Sequence, residues 1–336
     1  MSLDLSDTLV VGISATALFD LAEADSVFRD KVERDRDSAL LEYGRYMSAH
    51  EDDVLADGTG MPLVKALLSL SKFRKEGDKK PLVEVVVMSR NSPETGVCVL
   101  NNIRSRDLPI TRSVFAGGES VVDYLEAYDV DLFLTTNILD AQRVIDGQVC
   151  AAAVVKKPPH DQAALSETQV RIAFDGDAVL FDESSEIVYK AKGMDAFHST
   201  EDQNQNEPMG DGPYAILLRK LSRLQERLPF SVELSPVRIA IVTARNSPAE
   251  MRVIKTLRHW GVYVNEIFFL GGVDKTKVLK AFKPHIFFDD QDLHLDPASM
   301  FVPSGKVPYK SSSPLNPKTS ETVVQQFIKP GGCAAA

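Results

Sequence analysis

The chain has 336 residues, a formal net charge of −10 and a hydrophobic fraction of 44%. This composition is typical of a soluble globular protein long enough for two domains. The negative charge argues against general nucleic-acid binding, which needs a basic surface facing the phosphates. No apolar run approaches the roughly 20 residues that cross a bilayer, so no membrane partner is expected. The three cysteines have no metal-ligand spacing, which favours a reducing, cytoplasmic location.

Predicted strands and helices alternate along the first half of the chain. An apolar run at residues 9–13 favours a buried strand, and a Pro-led amphipathic helix is predicted over residues 62–73. A second apolar run, 85–88, leads into a Ser-Arg-Asn-Ser-Pro turn that opens a helix, and a third run lies at 132–134. The Lys- and Pro-rich residues 156–160 are the predicted boundary between two domains.

The second half begins with the stretch that carries the predicted site. Residues 170–174 are rich in β-branched and aromatic side chains, which favours a short buried strand, and an Asp-Gly-Asp turn follows at 175–177. Further apolar runs end at Thr243 and at the Asp-Asp pair 289–290, and a helix is predicted over 275–282. Because ligands bind where the carboxyl ends of parallel strands meet, we expect these polar residues to form one site.

Three short blocks of the first half recur in the second half in the same order. We therefore predict two related α/β units, residues 1–160 and 161–310, followed by a tail, 311–336. The paired blocks are Leu18-Phe19-Asp20 with Leu180-Phe181-Asp182, Ser89-Arg90-Asn91-Ser92-Pro93 with Ala244-Arg245-Asn246-Ser247-Pro248, and Phe115-Ala116-Gly117-Gly118 with Phe269-Leu270-Gly271-Gly272.

The repeat also shows which first-half residues stand at the positions of the candidate reactive residues in the second half. Every one of them is absent from the first half, so we expect the first unit to be a packing partner or lid without chemistry. In the sequence register, Ile13, Ala15, Met88, Val121, Thr135 and Thr136 stand where the second half has Asp175, Asp177, Thr243, Lys275, Asp289 and Asp290.

The second-half residues together suit phosphoryl transfer. Two carboxylates one residue apart, such as Asp175 and Asp177, can hold a cation, and one can attack an electrophile while the other carries a proton. The Thr243 hydroxyl at a helix start can bind an anion, and Lys275 can neutralise a phosphate oxygen. The Asp pair 289–290 would complete a magnesium site. Taken singly, each residue also fits a turn, a helix cap or a solvated surface, and their joint placement favours chemistry.

These residues resemble the four motifs of the haloacid dehalogenase superfamily of phosphotransferases. The chain more closely resembles the cytosolic 5′-nucleotidase type I family, over about residues 9–309. The resemblance implies two Rossmann-like, haloacid dehalogenase-like units, the first without catalytic residues and the second with a small helical cap insertion at about 190–236. The motifs that carry it are Phe174-Asp175-Gly176-Asp177-Ala178-Val179-Leu180-Phe181, the two Arg-Asn-Ser-Pro repeats, Gly117-Gly118-Glu119-Ser120 and Phe287-Phe288-Asp289-Asp290-Gln291.

The resemblance also implies a role for each residue. Asp175 would attack phosphorus and form an aspartyl-phosphate, and Asp177 would protonate the leaving ribose oxygen and then activate water. Thr243, Ala244 and Lys275 would bind the phosphoryl oxygens. The implied Mg²⁺ ligands are Asp175, Asp177, Asp289 and Asp290, and the candidate substrate contacts are Arg245, Asn246, Phe197, His198 and Tyr214.

The implied activity is Mg²⁺-dependent hydrolysis of nucleoside 5′-monophosphates, with purine nucleotides such as AMP or IMP favoured and an oligomeric state suggested. Two alternatives stay open at this point. A related phosphatase or phosphotransferase for another small phosphoester would share the core and differ in the cap. A nucleotide-binding regulator without turnover is suggested by the first half alone, and the intact set of Asp175, Asp177 and Lys275 argues against it.

Overall fold

The computed structural model describes residues 4–24, 26, 35–75, 77–78, 80–161, 164–166 and 168–317, so most of the predicted tail lies outside the described residues. The protein is built on a ten-stranded sheet, beside which β2 and β3 form a separate two-stranded sheet. The strands are β1 (Leu9–Ile13), β2 (Phe19–Asp20), β3 (Ala56–Asp57), β4 (Val83–Ser89), β5 (Arg112–Phe115), β6 (Leu132–Thr135), β7 (Ala151–Val155), β8 (Val170–Phe174), β9 (Val237–Thr243), β10 (Glu266–Phe269), β11 (Ile286–Asp289) and β12 (Ser304–Lys306).

Helices pack on both faces of the large sheet, and both faces contribute to the apolar core. None of the described helices is long and apolar enough to cross a membrane. The helices are α1 (Ala15–Leu18), α2 (Arg36–Ala49), α3 (Met61–Leu68), α4 (Val97–Ser105), α5 (Ile138–Gly147), α6 (Ser184–Gln203), α7 (Ala215–Arg227), α8 (Glu250–Trp260), α9 (Lys275–Phe282) and α10 (Asp292–Ser299).

The mixed α/β class is confirmed by this mostly parallel sheet, which is consistent with a Rossmann-like fold. The strand order is β10-β9-β8-β11-β12-β7-β6-β1-β4-β5. Every neighbouring pair in it is parallel except β12 and β7, which are antiparallel. The carboxyl ends of β1 and β4–β7 therefore lie at one edge of the sheet, and those of β8–β12 lie at the opposite edge.

The strands that carry the predicted site form where the sequence indicates. β8 covers Val170–Phe174 as expected, and all of its residues except Arg171 are buried. Strands covered on both faces have near-continuous apolar runs, because helices bury both sides. The helix predicted over 275–282 is α9, and the predicted helix at 62–73 divides into α3 and a 3₁₀ segment over Ser69–Phe73.

The strand pairings correct the register of the internal comparison by one residue. Val11 pairs with Leu132, and Ile172 pairs with Ile286. When 132–134 is aligned with 286–288, Ser14 and Thr16 therefore correspond to Asp175 and Asp177, in place of Ile13 and Ala15. In the same way Ser89 pairs with Phe115 and Thr243 with Phe269, so Ser89 and not Met88 corresponds to Thr243.

The difference in register has a simple physical cause, which is loop length. Ile13 and Leu18 are five positions apart, whereas Phe174 and Leu180 are six apart. Ser89 precedes Pro93 by four positions, whereas Thr243 precedes Pro248 by five. Both loops that carry candidate reactive residues are thus one residue longer in the second half. The matching blocks that follow these loops align with each other. Counting back from them across a loop of different length misaligns the preceding strand ends by one residue.

The predicted cap at 190–236 divides into two parts with different surroundings. The C-terminal part of α6 lies beside the candidate site, where Phe197 and His198 contact the loop after β9. In contrast, α7 buries Leu217, Leu218 and Leu221 in the main core and contacts β1. Lys220 on α7 also lies 3.4 Å from Asp131 of the first half. The second helix of the insertion is therefore part of the layer that covers the sheet.

A buried histidine joins the two strands that lead to the site. The His285 Nδ1 atom accepts a hydrogen bond from the backbone N–H of Arg171 at 3.0 Å, and Nε2 lies 3.2 Å from the Ser166 carbonyl oxygen. The neutral ring with its proton on Nε2 satisfies both partners. Burial lowers the pKa of His285, because the charged ring would be poorly solvated there.

We expect the His285 environment to make stability depend on pH. As the pH falls from about 7 to about 5, the unfolded chain takes up this proton before the folded chain, so the free energy of unfolding falls. The His285→Gln variant should lose less stability over the same interval in urea unfolding. The exposed His259 provides the control, since His259→Gln should keep the wild-type dependence. Equal losses in His285→Gln and wild type would contradict the expectation.

Candidate active site

Charged side chains meet at the carboxyl ends of β8 and β11. Lys275, the first residue of α9, has its Nζ atom 2.7 Å from Asp175 Oδ1 and 2.7 Å from Asp289 Oδ2. The Asp175 N–H donates to the Phe288 carbonyl at 2.8 Å, which continues the β8–β11 pairing by one residue. All three charged residues are buried. One ammonium group therefore joins the ends of two strands to the start of a helix.

A third carboxylate, that of Asp290, completes a group that fits a metal ion. One carboxylate oxygen from each of Asp175, Asp289 and Asp290 lies within 4.8 Å of the others. Asp290 Oδ2 accepts from the Tyr309 hydroxyl, but Oδ1 is buried without a hydrogen-bond partner among the described residues. Burying a carboxylate oxygen without a partner is costly, and Mg²⁺ prefers oxygen ligands of this kind. The donor set and the unpaired oxygen both suit a hard divalent cation.

The pKa values of these groups reflect the crowding of negative charge. Burial raises the pKa of Asp175 to about 6, although Lys275 opposes the change. Burial and the nearby Asp289 raise the pKa of Asp290 well above its usual range. Burial alone would lower the pKa of Lys275, but its two carboxylate partners raise it overall. A single ammonium group does not offset three carboxylates, so additional positive charge would stabilise the ionised cluster.

Asp177 belongs to a second ionic network beside the first. Arg245 binds its carboxylate at two points, with Nε 2.8 Å from Oδ2 and Nη2 2.6 Å from Oδ1. The Nη1 atom of the same guanidinium donates to Glu201, which also accepts from Arg252 at 2.9 Å and from Ser185 at 2.8 Å. Arg245, predicted as a substrate contact, is 3% exposed and engaged by two carboxylates. In this structure it fixes the orientation of Asp177.

The loops after β8 and β9 touch each other at the predicted phosphate-binding residues. Thr243 is buried, and its Oγ1 atom accepts from the Arg245 backbone N–H at 3.3 Å. A Cβ atom on Gly176 would lie 3.2 Å from that hydroxyl oxygen. The two loops can therefore pack this closely because residue 176 is a glycine. Ala244 is exposed at the turn. Thr243 and Ala244 are thus next to the loop that carries Asp175 and Asp177.

The predicted substrate contacts on α6 lie beside this network. The Phe197 ring is buried 5.3 Å from the Arg245 guanidinium carbon. His198 Nε2 lies 2.9 Å from Asn246 Oδ1, which joins α6 to the loop after β9. Tyr214 is different, because it is fully buried and packs against the rings of Phe174 and Phe288 inside the core. The structure does not bring Tyr214 to the open edge of the site.

Several residues of the two networks were not identified from the sequence. They are acidic, aromatic or amide side chains whose partners are distant in the chain, so no local pattern marks them. Glu186 accepts from Gln291 at 2.9 Å, and its Oε1 atom lies 3.3 Å from the Tyr309 hydroxyl oxygen. Glu201 is in α6 and only 1% exposed.

Comparison with known proteins shows which family the chain belongs to. The 5′-nucleotidase family model matches residues 1–314. The chain belongs to this family. It is 31% identical over 297 residues to human cytosolic 5′-nucleotidase 1B, in an alignment that covers 87% of this chain and 47% of that protein. The resemblance to the cytosolic type I family is confirmed, and the chain spans about half the length of this curated relative. No solved structure matches.

We expect the Arg245 network to contribute to stability as well as to orientation. Arg245→Gln removes the cation that binds the half-buried Asp177 and leaves the buried Glu201 with Arg252 as its cation. Losing these charged hydrogen bonds should lower the free energy of unfolding by about 2 kcal/mol. Urea unfolding with and without the substitution measures this change. Arg258→Gln, at an exposed position of α8, should change stability little. A loss in Arg245→Gln no larger than in this control would show that the network is not stabilising.

Proposed function

We propose that the protein hydrolyses nucleoside 5′-monophosphates through an aspartyl-phosphate on Asp175. The observation that carries the proposal is the contact of Lys275 with both Asp175 and Asp289 at strand ends, in a chain of the 5′-nucleotidase family. The name of the human relative, a cytosolic 5′-nucleotidase, supports both the reaction and a cytoplasmic location. A preference for purine nucleotides such as AMP or IMP, and an oligomeric state, stay predictions.

In the first step, a carboxylate oxygen of Asp175 attacks phosphorus and the bond to the ribose 5′-oxygen breaks. Lys275 holds Asp175 Oδ1, which leaves Oδ2 as the attacking atom. Lys275, the Thr243 hydroxyl and the Ala244 N–H would bind the phosphoryl oxygens, where negative charge increases in the transition state. In the second step, water attacks phosphorus, and the products are inorganic phosphate and the free Asp175 carboxylate.

Asp177 would supply the proton that the leaving ribose oxygen needs and later remove one from the attacking water. In this structure Arg245 contacts both oxygens of this carboxylate, so neither oxygen is free to reach a substrate. We infer that substrate binding releases Asp177 from part of this ion pair. Glu201 would then keep the guanidinium in position, since it binds a different nitrogen of Arg245.

A Mg²⁺ ion would be held by the carboxylates of Asp175, Asp289 and Asp290 and by the backbone carbonyl of Asp177. The unpaired Oδ1 atom of Asp290 supports this assignment. When bound, the ion supplies positive charge that offsets the charge of the carboxylates and the phosphate. The Tyr309 hydroxyl would orient the Asp290 carboxylate through its hydrogen bond, and Glu186 would hold Tyr309 from the other side.

We also propose that residues 1–160 and 161–310 are two related units, of which the second is catalytic. Counted outward from the central strands β7 and β12, the two halves have the strand orders β7-β6-β1-β4-β5 and β12-β11-β8-β9-β10. In each order the strands occupy the same places relative to their sequence order, which supports a shared topology. The described part of the tail contacts both units. The Ser311 N–H donates to Asp146 at 2.7 Å, and the Ser313 hydroxyl donates to Glu183 at 2.5 Å.

The proposed reaction is tested by phosphate release from a panel of nucleoside monophosphates and sugar phosphates, with Mg²⁺ and with EDTA. We expect release from nucleoside 5′-monophosphates with Mg²⁺ and loss of release in EDTA, because the carboxylate cluster then lacks its counter-charge. Mg²⁺ should also raise the melting temperature of the wild type, and Asp289→Asn should remove that increase. Turnover of sugar phosphates with no nucleotide hydrolysis would identify a different phosphatase.

The role of Asp175 is tested by replacing its carboxylate with an amide of the same shape. Asp175→Asn should lower phosphate release by at least about 10³-fold, because the amide is not a nucleophile of comparable strength. Asp195→Asn makes the same substitution at an exposed position of α6 and should retain activity. Unchanged phosphate release in Asp175→Asn would rule out the aspartyl-phosphate mechanism.

A further inference from the structure

The first half of the chain contains a cavity of about 850 Å³ at the carboxyl ends of its strands. This volume is in the range of small-ligand sites. The cavity lies at the end of β1, where β4 and β6 flank it, and its walls carry many hydroxyl groups. The hydroxyl-bearing lining residues include Ser14, Thr16, Ser89, Thr135 and Thr136.

The corrected register makes this cavity the counterpart of the candidate active site. Each carboxylate of the active site has a hydroxyl side chain at its corresponding position, and a serine replaces the phosphate-binding threonine. The Lys275 position is occupied by the apolar Val121. The pairs are Ser14 with Asp175, Thr16 with Asp177, Ser89 with Thr243, Thr135 with Asp289 and Thr136 with Asp290.

The hydroxyl side chains remove negative charge from the first-half cavity and leave the cavity open. Among the described lining residues, Asp140 is the buried carboxylate, and Arg90 neutralises it through hydrogen bonds of 2.8 and 2.5 Å. Ser120 donates a further hydrogen bond to Asp140 at 2.9 Å. The remaining charged group, Glu94, is exposed. The crowded carboxylates that require a cation in the second half have no equivalent here.

Three of these hydroxyl groups form a connected chain in the lining of the cavity. Ser14 Oγ lies 3.1 Å from Thr16 Oγ1, which lies 2.6 Å from Thr136 Oγ1. Hydroxyl groups rotate and can donate to a bound anion, whereas carboxylates repel one. With Ser14 at the position of the nucleophile, the cavity also lacks the carboxylate that would attack phosphorus.

We propose that this cavity binds a phosphomonoester, such as a nucleoside monophosphate, without a metal ion and without hydrolysing it. The ligand class follows from the correspondence with the phosphate site under the proposed function, and the two sites face opposite edges of the sheet. A nucleotide bound here would therefore leave the catalytic site accessible. The protein would carry one binding site with turnover and one without it.

The proposal is tested on the full chain by equilibrium dialysis in EDTA with three probes: AMP, inorganic phosphate and adenosine. We expect AMP and phosphate to bind and adenosine not to bind. Thr16→Asp and Thr136→Asp each restore a carboxylate at the corresponding position and should weaken AMP binding by at least about tenfold through charge repulsion. Ser113→Asp adds the same charge at an exposed position of β5 and should leave binding unchanged. Circular dichroism checks that the variants fold.

Three results would overturn the proposal. They are an absence of AMP binding in EDTA, binding of adenosine as strong as that of AMP, and AMP binding that is insensitive to both threonine substitutions but lost in Lys275→Met. The last result would assign the binding to the second half. The outcome is separate from that of the proposed function, because hydrolysis with Mg²⁺ tests the catalytic site and binding in EDTA tests this cavity.

Discussion

The contact of Lys275 with Asp175 and Asp289 is the interaction on which the candidate site depends. It places an ammonium group between two carboxylates at the ends of neighbouring strands, and all three groups are buried. Without this cation, the two carboxylates would repel each other in a region that water solvates poorly. The same lysine begins α9, so the position of the helix and the spacing of the two strand ends are coupled. The remaining charge of the cluster is what makes a divalent cation physically reasonable there.

The antiparallel pair β7–β12 determines how the rest of the molecule is arranged around that site. It joins two five-stranded sets of parallel strands into one sheet and directs their carboxyl ends to opposite edges. The hydroxyl-lined cavity and the carboxylate cluster are therefore separate sites on one sheet. Apolar strands and Gly-Gly turns occur in both halves, whereas the buried carboxylates of the cluster occur in the second, which separates what the fold requires from what chemistry requires.

Sequence patterns predicted the elements best where local signals are strong. The apolar run 170–174 and the periodic segment 275–282 matched β8 and α9, because strand burial and helix amphipathicity have short periods. The predicted register at the ends of β1 and β4 was wrong by one residue, since loop length cannot be read from matches on either side of a loop. The packing of α7 against the sheet was also not predicted, because an apolar helix face can pack against either a cap or a sheet.

The sequence by itself determined the family, the α/β class and the identity of Asp175, Asp177, Thr243, Lys275 and Asp289-Asp290 as candidate reactive residues. These features follow from apolar periodicity and from motifs within a few residues of each strand end. Only the tertiary structure decided that Arg245 is engaged by Asp177 and Glu201, that Tyr214 is in the core, and that Tyr309 reaches Asp290. Such contacts join side chains far apart in sequence, so their partners become defined only when the strands and helices pack together.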